Sequence, residues 1–203
     1  MANQTKKELL QAAYRATMKA LGYDPDKNYG STPPPVRISY PAEGQPDWTA
    51  DDDVVFIAFE DVLGDDTTQP VHEEWETKGD KLRKTHYSNR VVRFTWTAYG
   101  PHAYDNMIQL RHTLLDGADA LRKAGLYIIP SPETPRYVPE LYGGLWWERA
   151  DLAFSFNNML VWDETVTPIE TVPVDVHDNP GTSEHTIETT AQVGPYGIII
   201  IED

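Results

Sequence analysis

The sequence predicts one α+β domain with an extension at each end, and three observations predict it. The chain has 203 residues, 40% of them hydrophobic, which supplies one substantial core rather than two. Residues Val91 to Pro130 read as strand, helix, strand. The two ends fall outside that pattern, so the expected division is an N-terminal helix with a proline-rich connector over 1–35, a core over 36–162 and an acidic β arm over 163–203.

Each element has a local reason. Thr5 with Glu8 three residues on has the form of a capping box, and Leu9, Leu10, Ala13, Thr17 and Leu21 make the stripe of a helix over 5–21 that Gly22 ends. "YDPDKNYGSTPPP" follows, a connector expected to hold that helix at a distance. Val36 to Tyr40 alternates as a strand, and "PAEGQPDWTADDD" is a loop. Val54 to Phe59 is apolar on both faces, as in a central strand covered on both sides, by its own domain and by a partner. A long β-hairpin over about 70–99 comes next, with a basic loop leading into its second strand.

In that second strand Val92, Phe94, Trp96 and Ala98 lie on one side and Arg93, Thr95 and Thr97 on the other, the period of a half-buried strand. Gly100-Pro101 turns the chain into a helix. Ala103, Met107, Ile108, Leu114, Leu115, Ala118 and Leu121 form its predicted stripe, which Asp116-Gly117 splits and Gly125 caps. Leu126 to Ile129 reads as an inner strand and "SPETPRYVPELYGG" as an ordered crossing loop. Leu145 to Asn157 alternates, with Trp146, Ala150, Leu152, Phe154 and Phe156 on one face and Trp147, Arg149, Asp151 and Ser155 on the other. It is expected beside the Val91 strand. Met159 to Trp162, Ile169 to Val176 and Tyr196 to Ile201 are further strand candidates. "GIIII" near the chain end is an edge that demands a strand partner.

The net charge is −15, and from Ala150 onward there are ten acids and no Lys or Arg. Lys78 to Arg93 is basic by contrast. An acidic tail and a basic segment of one chain suggest contacts between copies, where complementary charge sets register. The candidate interface residues are Lys81, Arg83, Lys84, Arg90 and Trp147, with Tyr196, Ile198 and Ile200 in the tail strand. The acidity disfavours bulk nucleic-acid binding.

No run approaches a membrane span of roughly 18 apolar residues, and "MANQTKKELL" lacks the apolar core of a signal peptide. With no cysteine, disulfides, thiolate metal sites and cysteine nucleophiles are excluded. No phosphate loop, dinucleotide fingerprint or nucleophile elbow is present. "HEEWE" from His72 lacks the second histidine of a zinc helix. Asp51, Asp52 and Asp53 read as a solvated flank. Asp47, Glu76 and Lys78 are a faint echo of a Mg²⁺-dependent nuclease in unsuitable context. The expectation is no enzyme, no catalytic residue, no cofactor and no metal.

The stretches "VRISYPAEGQP", "FTWTAYGP", "LYIIP", "RYVPELYGGLWWERADLAFSFN" and "PIETVPVDVHD" together resemble the neck or tail terminator proteins of tailed bacteriophages, over about residues 36–178. The resemblance implies a mixed, mostly antiparallel β-sheet with helices packed on one face. It also implies a structural virion protein, made in the host cytoplasm, that forms a ring commonly of six copies. Its implied partners are itself, the tail tube protein and the head-tail connector or stopper protein, with genomic DNA passing through the lumen without specific binding and no membrane. The alternatives are another head-tail joining protein, such as a stopper or tail-completion protein, or the nuclease.

Overall fold

Thr5 caps α1 (Lys6–Ala20) as the sequence predicts: its hydroxyl accepts from the Glu8 backbone N–H, and the Glu8 carboxylate accepts from the Thr5 backbone N–H at 2.7 Å. The structure, a computed structural model, describes residues 4–30, 32–62, 72–78, 81–130, 133–166, 191–193 and 199–201. The strands are β1 (Val36–Ile38), β2 (Val54–Val62), β3 (His72–Lys78), β4 (Lys81–Tyr99), β5 (Leu126–Ile128), β6 (Arg136–Tyr137), β7 (Glu140–Tyr142), β8 (Leu145–Trp147), β9 (Arg149–Val166), β10 (Ala191–Val193) and β11 (Ile199–Ile201). Two helices, α2 (Ala103–Leu115) and α3 (Asp119–Lys123), lie between β4 and β5.

Two compact units divide the chain, one of residues 1–70 with 88–160 and the other of residues 71–87 with 161–203. In the first, the strands run in the order β1-β2-β4-β9-β5, with β6 also on β9. β1 is parallel to β2; β2 with β4, and β5 and β6 with β9, are antiparallel. The inner face of this sheet carries Val55, Ile57, Val92, Phe94, Trp96, Ala98, Leu152, Phe154 and Phe156, which share one buried cluster with Leu9, Ala13, Met107, Leu110, Leu114 and Leu121 of the three helices. The fold is therefore α+β, with the helices packed on one face of a mostly antiparallel sheet.

Gly100 makes the β4–α2 turn at φ +107, and a Cβ there would lie 2.5 Å from the Asp52 carbonyl oxygen. Asp53 completes the turn by accepting from the His102 backbone N–H at 2.9 Å. Glycine is required on both counts.

Several expectations are corrected. The prolines after α1 do not hold it away from the core, because Leu9, Ala13 and Met18 are fully buried within it. The stripe of α2 is Ala103, Met107, Leu110 and Leu114, spaced 4, 3 and 4, while Ile108 and Leu115 face outward at 45% and 44% exposure. β5 is an edge strand and not an inner one. The predicted crossing loop holds β6 and β7, and Glu148 breaks the strand expected over Leu145 to Asn157, so Trp146 leaves the core face. On the outer face of β2, Trp48 of the chain itself packs at a tilt on Phe56, with centroids 4.9 Å apart, and covers part of the strand.

The second unit contains the hairpin of β3 with residues 81–87 of β4, so the predicted basic loop is strand. It also contains the ribbon in which Ile199–Ile201 pairs antiparallel with Ala191–Val193. The isoleucine run thus has a strand partner in its own chain, one of the two places, its own chain or a neighbour's, where the sequence lets it dock. The predicted strand Ile169 to Val176 lies outside the described residues.

Candidate interaction surfaces

The β7–β8 hairpin is set by its turn. Gly143 and Gly144 have φ +58 and +81, the two left-handed positions of a type I′ connection, and they put Leu141 opposite Trp146 and Tyr142 opposite Leu145. These four side chains are 60%, 68%, 73% and 64% exposed in that order. Four large apolar side chains on one uncharged tip are unusual for a surface, where such residues normally occur singly.

The foot of the hairpin is fixed to the outer face of the sheet. Trp147 stands edge-on to Trp48 and Tyr99, both with centroids 6.4 Å away, and to Tyr142 at 5.9 Å. Arg149 grips Asp151 through two hydrogen bonds of 2.9 Å each, bonds Glu140 with its third guanidinium nitrogen and lies over the Tyr99 ring. Burial acts to lower the Arg149 pKa, but the hydrogen bond to Asp151, the charge of Asp151, the Tyr99 ring and the bond to Glu140 together outweigh it and the net shift is upward. The same carboxylate of Glu140 accepts from the Tyr99 hydroxyl at 3.2 Å, tying β7, β9 and the end of β4 together. The indole N–H groups of Trp48 and Trp147 are buried and have no acceptor among the described residues, so this cluster is held by ring packing and not by indole hydrogen bonds.

Beside this cluster the outer sheet face is hollowed into an open groove of about 620 Å³, lined among others by Tyr40, Trp48, Phe56, Ala58, Thr95 and Thr97. The loop over it is clamped by Arg37, which donates to the carbonyls of Pro34 at 3.2 Å and Pro46 at 2.7 Å. Burial pushes the Arg37 pKa down. Tyr40, on the groove rim, is 93% exposed with φ +57, a conformation that an aromatic residue adopts only under constraint. A smaller exposed strip runs along α2 through Tyr104, Ile108 and Leu115, with Tyr104 edge-on to Tyr137 at 6.4 Å.

In the second unit charge pairs with charge. Arg83 bonds Asp163 at 2.7 Å, joined by the Thr85 hydroxyl at 2.9 Å. Those bonds raise the Arg83 pKa and lower that of Asp163. Lys84 pairs with Glu73 at 3.1 Å and covers the Trp75 ring. The basic segment and the acidic tail therefore meet inside one chain, at Arg83 and Asp163.

Of the residues predicted from sequence to form an interface, Lys81 is exposed at the start of β4. Arg90 is spent internally, donating to the Asn158 side chain at 2.8 Å and to the Gln4 carbonyl. Trp147 is half-buried at the hairpin foot. Ile200 lies in β11 opposite Gln192, and Tyr196 and Ile198 lie outside the described residues. Sequence reasoning missed Leu141, Tyr142 and Leu145 and put Trp146 in the core; the available signal was the Gly-Gly dipeptide between two apolar pairs. Asp47 lies in the loop of the first unit and Glu76 on β3 of the second. Among the described residues no group of three or more His, Asp or Glu side chains is placed to hold a metal ion.

A surface made of edge-packed rings, paired ions and an apolar tip is equipped to bind protein. The sequence model of the phage neck terminator proteins matches residues 7–182. The chain belongs to that family. Among solved structures, one that is similar is the PVC sheath/tube terminator of an extracellular contractile injection system in its extended state. It is 15% identical, with a TM-score of 0.47 and coverage of 90% of this chain and 67% of that one. Comparison with curated proteins gives no match. As a phage neck terminator the protein is a structural component of the virion tail. No helix among the described residues is long and apolar enough to cross a membrane.

Proposed function

We propose that this neck terminator assembles as a closed ring of six copies that ends the tail tube and joins it to the head connector. The observation that carries the reading is the uncharged, exposed β7–β8 tip on a member of this family. Apolar surface of that kind is stabilised by burial against protein, and a head-to-tail contact repeated around an axis closes a ring. The chain's charge supports a passive lumen. Six copies carry 6 × −15 = −90 formal charges, and an acidic wall disfavours the phosphate contacts on which non-specific DNA affinity depends. The genome then passes without being held.

The test is the mass and shape of the purified protein together with its position on isolated tails. A six-fold ring at the head-proximal end of the tube is expected. A ring found on the head connector of tail-less heads would make the protein a stopper, and a protein that is monomeric both in solution and on tails would sink the ring.

A further inference from the structure

Resting on the ring reading, we infer that the β7–β8 hairpin of one copy seats in the outer-face groove of the next copy. The two surfaces match in chemistry. Leu141 to Trp147 contains no charged residue, and the groove lining is uncharged apart from Glu60 and Arg149, one of each sign. On a chain of net charge −15, a contact between copies that meets where local charge vanishes avoids like-charge repulsion. These are such places.

The match extends to size and vacancy. None of the four exposed hairpin side chains lines the groove of its own chain, so each copy offers one projection and one receptacle at different points of its surface. The four side chains present on the order of 500 Å² of apolar area, more than half of the roughly 800 Å² that a standard interface takes from each partner. The groove, at about 620 Å³, admits several such side chains. Tyr40 supplies a further sign. Its backbone is held in the left-handed region while its ring stands in solvent on the rim, and strain of this kind is kept where a surface has work to perform. Tyr142 and Leu145, opposite each other on one face of the hairpin, are the anchors, and Phe56 and Ala58 are the floor that receives them. Projection and receptacle on one chain make the contact head-to-tail, the type that generates rings.

The experiment replaces Tyr142 with the photo-crosslinker benzoylphenylalanine and irradiates the protein, pure and on isolated tails. Crosslinks are expected from residue 142 of one copy to peptides of 39–58 or 95–97 of another, in a ladder that continues past the dimer. Two variants run beside it: Leu145→Ser with Trp146→Ser, which empties the tip, and Ala58→Trp, which fills the groove. Both alter outer surface only, so melting should be unchanged while ring formation falls at least tenfold. If either variant misfolds, the crosslink decides alone. Rings that persist in well-folded variants overturn the inference and leave the ring reading intact. So do crosslinks that land elsewhere, on another phage protein included. A ladder that stops at the dimer means two-fold exchange and also overturns it. If the unaltered protein forms no ring in solution or on tails, the ring reading fails and the inference falls with it.

Discussion

The indole N–H of Trp96, on β4, donates to the hydroxyl of Thr17, on α1, at 2.8 Å. That hydroxyl in turn donates to the Ala13 carbonyl at 2.8 Å. Both residues are fully buried, so the largest side chain of the core has its one polar atom satisfied by the helix that covers it.

Thr17→Val removes the acceptor and keeps the shape. The buried indole is then unsatisfied, at a cost of about 1–3 kcal/mol, and Thr17→Ser should lose clearly less. Urea unfolding of the two variants checks the difference; equal stabilities would mean that the hydrogen bond contributes little.

Phe154 is fully buried on the β9 face that meets the helices. Truncation to Ala should cost about 3–5 kcal/mol, a large share of the roughly 5–15 kcal/mol that holds a domain together. Insoluble or partly unfolded protein is expected, and a melting temperature near that of the parent would contradict the packing described for β9.

His102 is coupled to pH through Asp53. Its Nδ1 lies 2.7 Å from the Asp53 carboxylate, and that hydrogen bond, then the charge of Asp53, raises the His102 pKa above its ordinary 6.5. A folded-state pKa above the unfolded one gives a stabilisation that is fully present below pH 6.5 and fades as pH rises through the folded value. Proton NMR should show His102 titrating above 6.5, and Asp53→Asn should return it toward that value. An unmoved titration in the variant would reject the coupling.

The hairpin foot depends on the two-pronged geometry of Arg149. Arg149→Lys keeps the charge but cannot bond Asp151 twice and Glu140 at once. Limited proteolysis near Gly143-Gly144 should accelerate several-fold in the variant while the melting of the core stays close to the parent's. Unchanged cleavage would show that the edge-on ring contacts of Trp147 alone secure the hairpin.

Plasmid DNA incubated with the protein and Mg²⁺ or Mn²⁺ should remain intact. Among the described residues no group of three or more His, Asp or Glu side chains is placed to hold a metal ion. Cleavage that vanishes in Lys78→Ala would reverse this expectation.

The strand–helix–strand nucleus was legible because its signals are local: period-two alternation in β4, Gly100-Pro101 at the turn and Gly117 between the helices all act within a few residues. The α2 stripe was half legible. Ile108 and Leu115 are as apolar as Leu110, and only the position of the sheet decides which line of the helix is buried. The placement of α1 was less legible: three prolines after it have the composition of a spacer, while Leu9 and Ala13 demand a core to enter. Trp146 was misplaced for a different reason. Glu148 interrupts the strand, and β8 leaves the main sheet to pair with β7, so Trp146 has no core to face. The interaction surfaces were least legible, since exposure at Leu141 or Tyr142 and the hollow beside Phe56 arise only when distant segments come together.

Two glycine turns of this chain set different limits on how its sequence can drift. At Gly143 and Gly144 a Cβ would meet nothing within 4 Å, so only the sign of φ restrains them, and asparagine, which tolerates that region, is an accessible replacement. Gly100 is constrained twice, by its φ and by the Asp52 carbonyl against it, and every replacement must displace backbone. Among natural variants of this protein the tip of the hairpin can therefore change its sequence and retune its fit to a partner. The joint between β4 and α2 stays glycine.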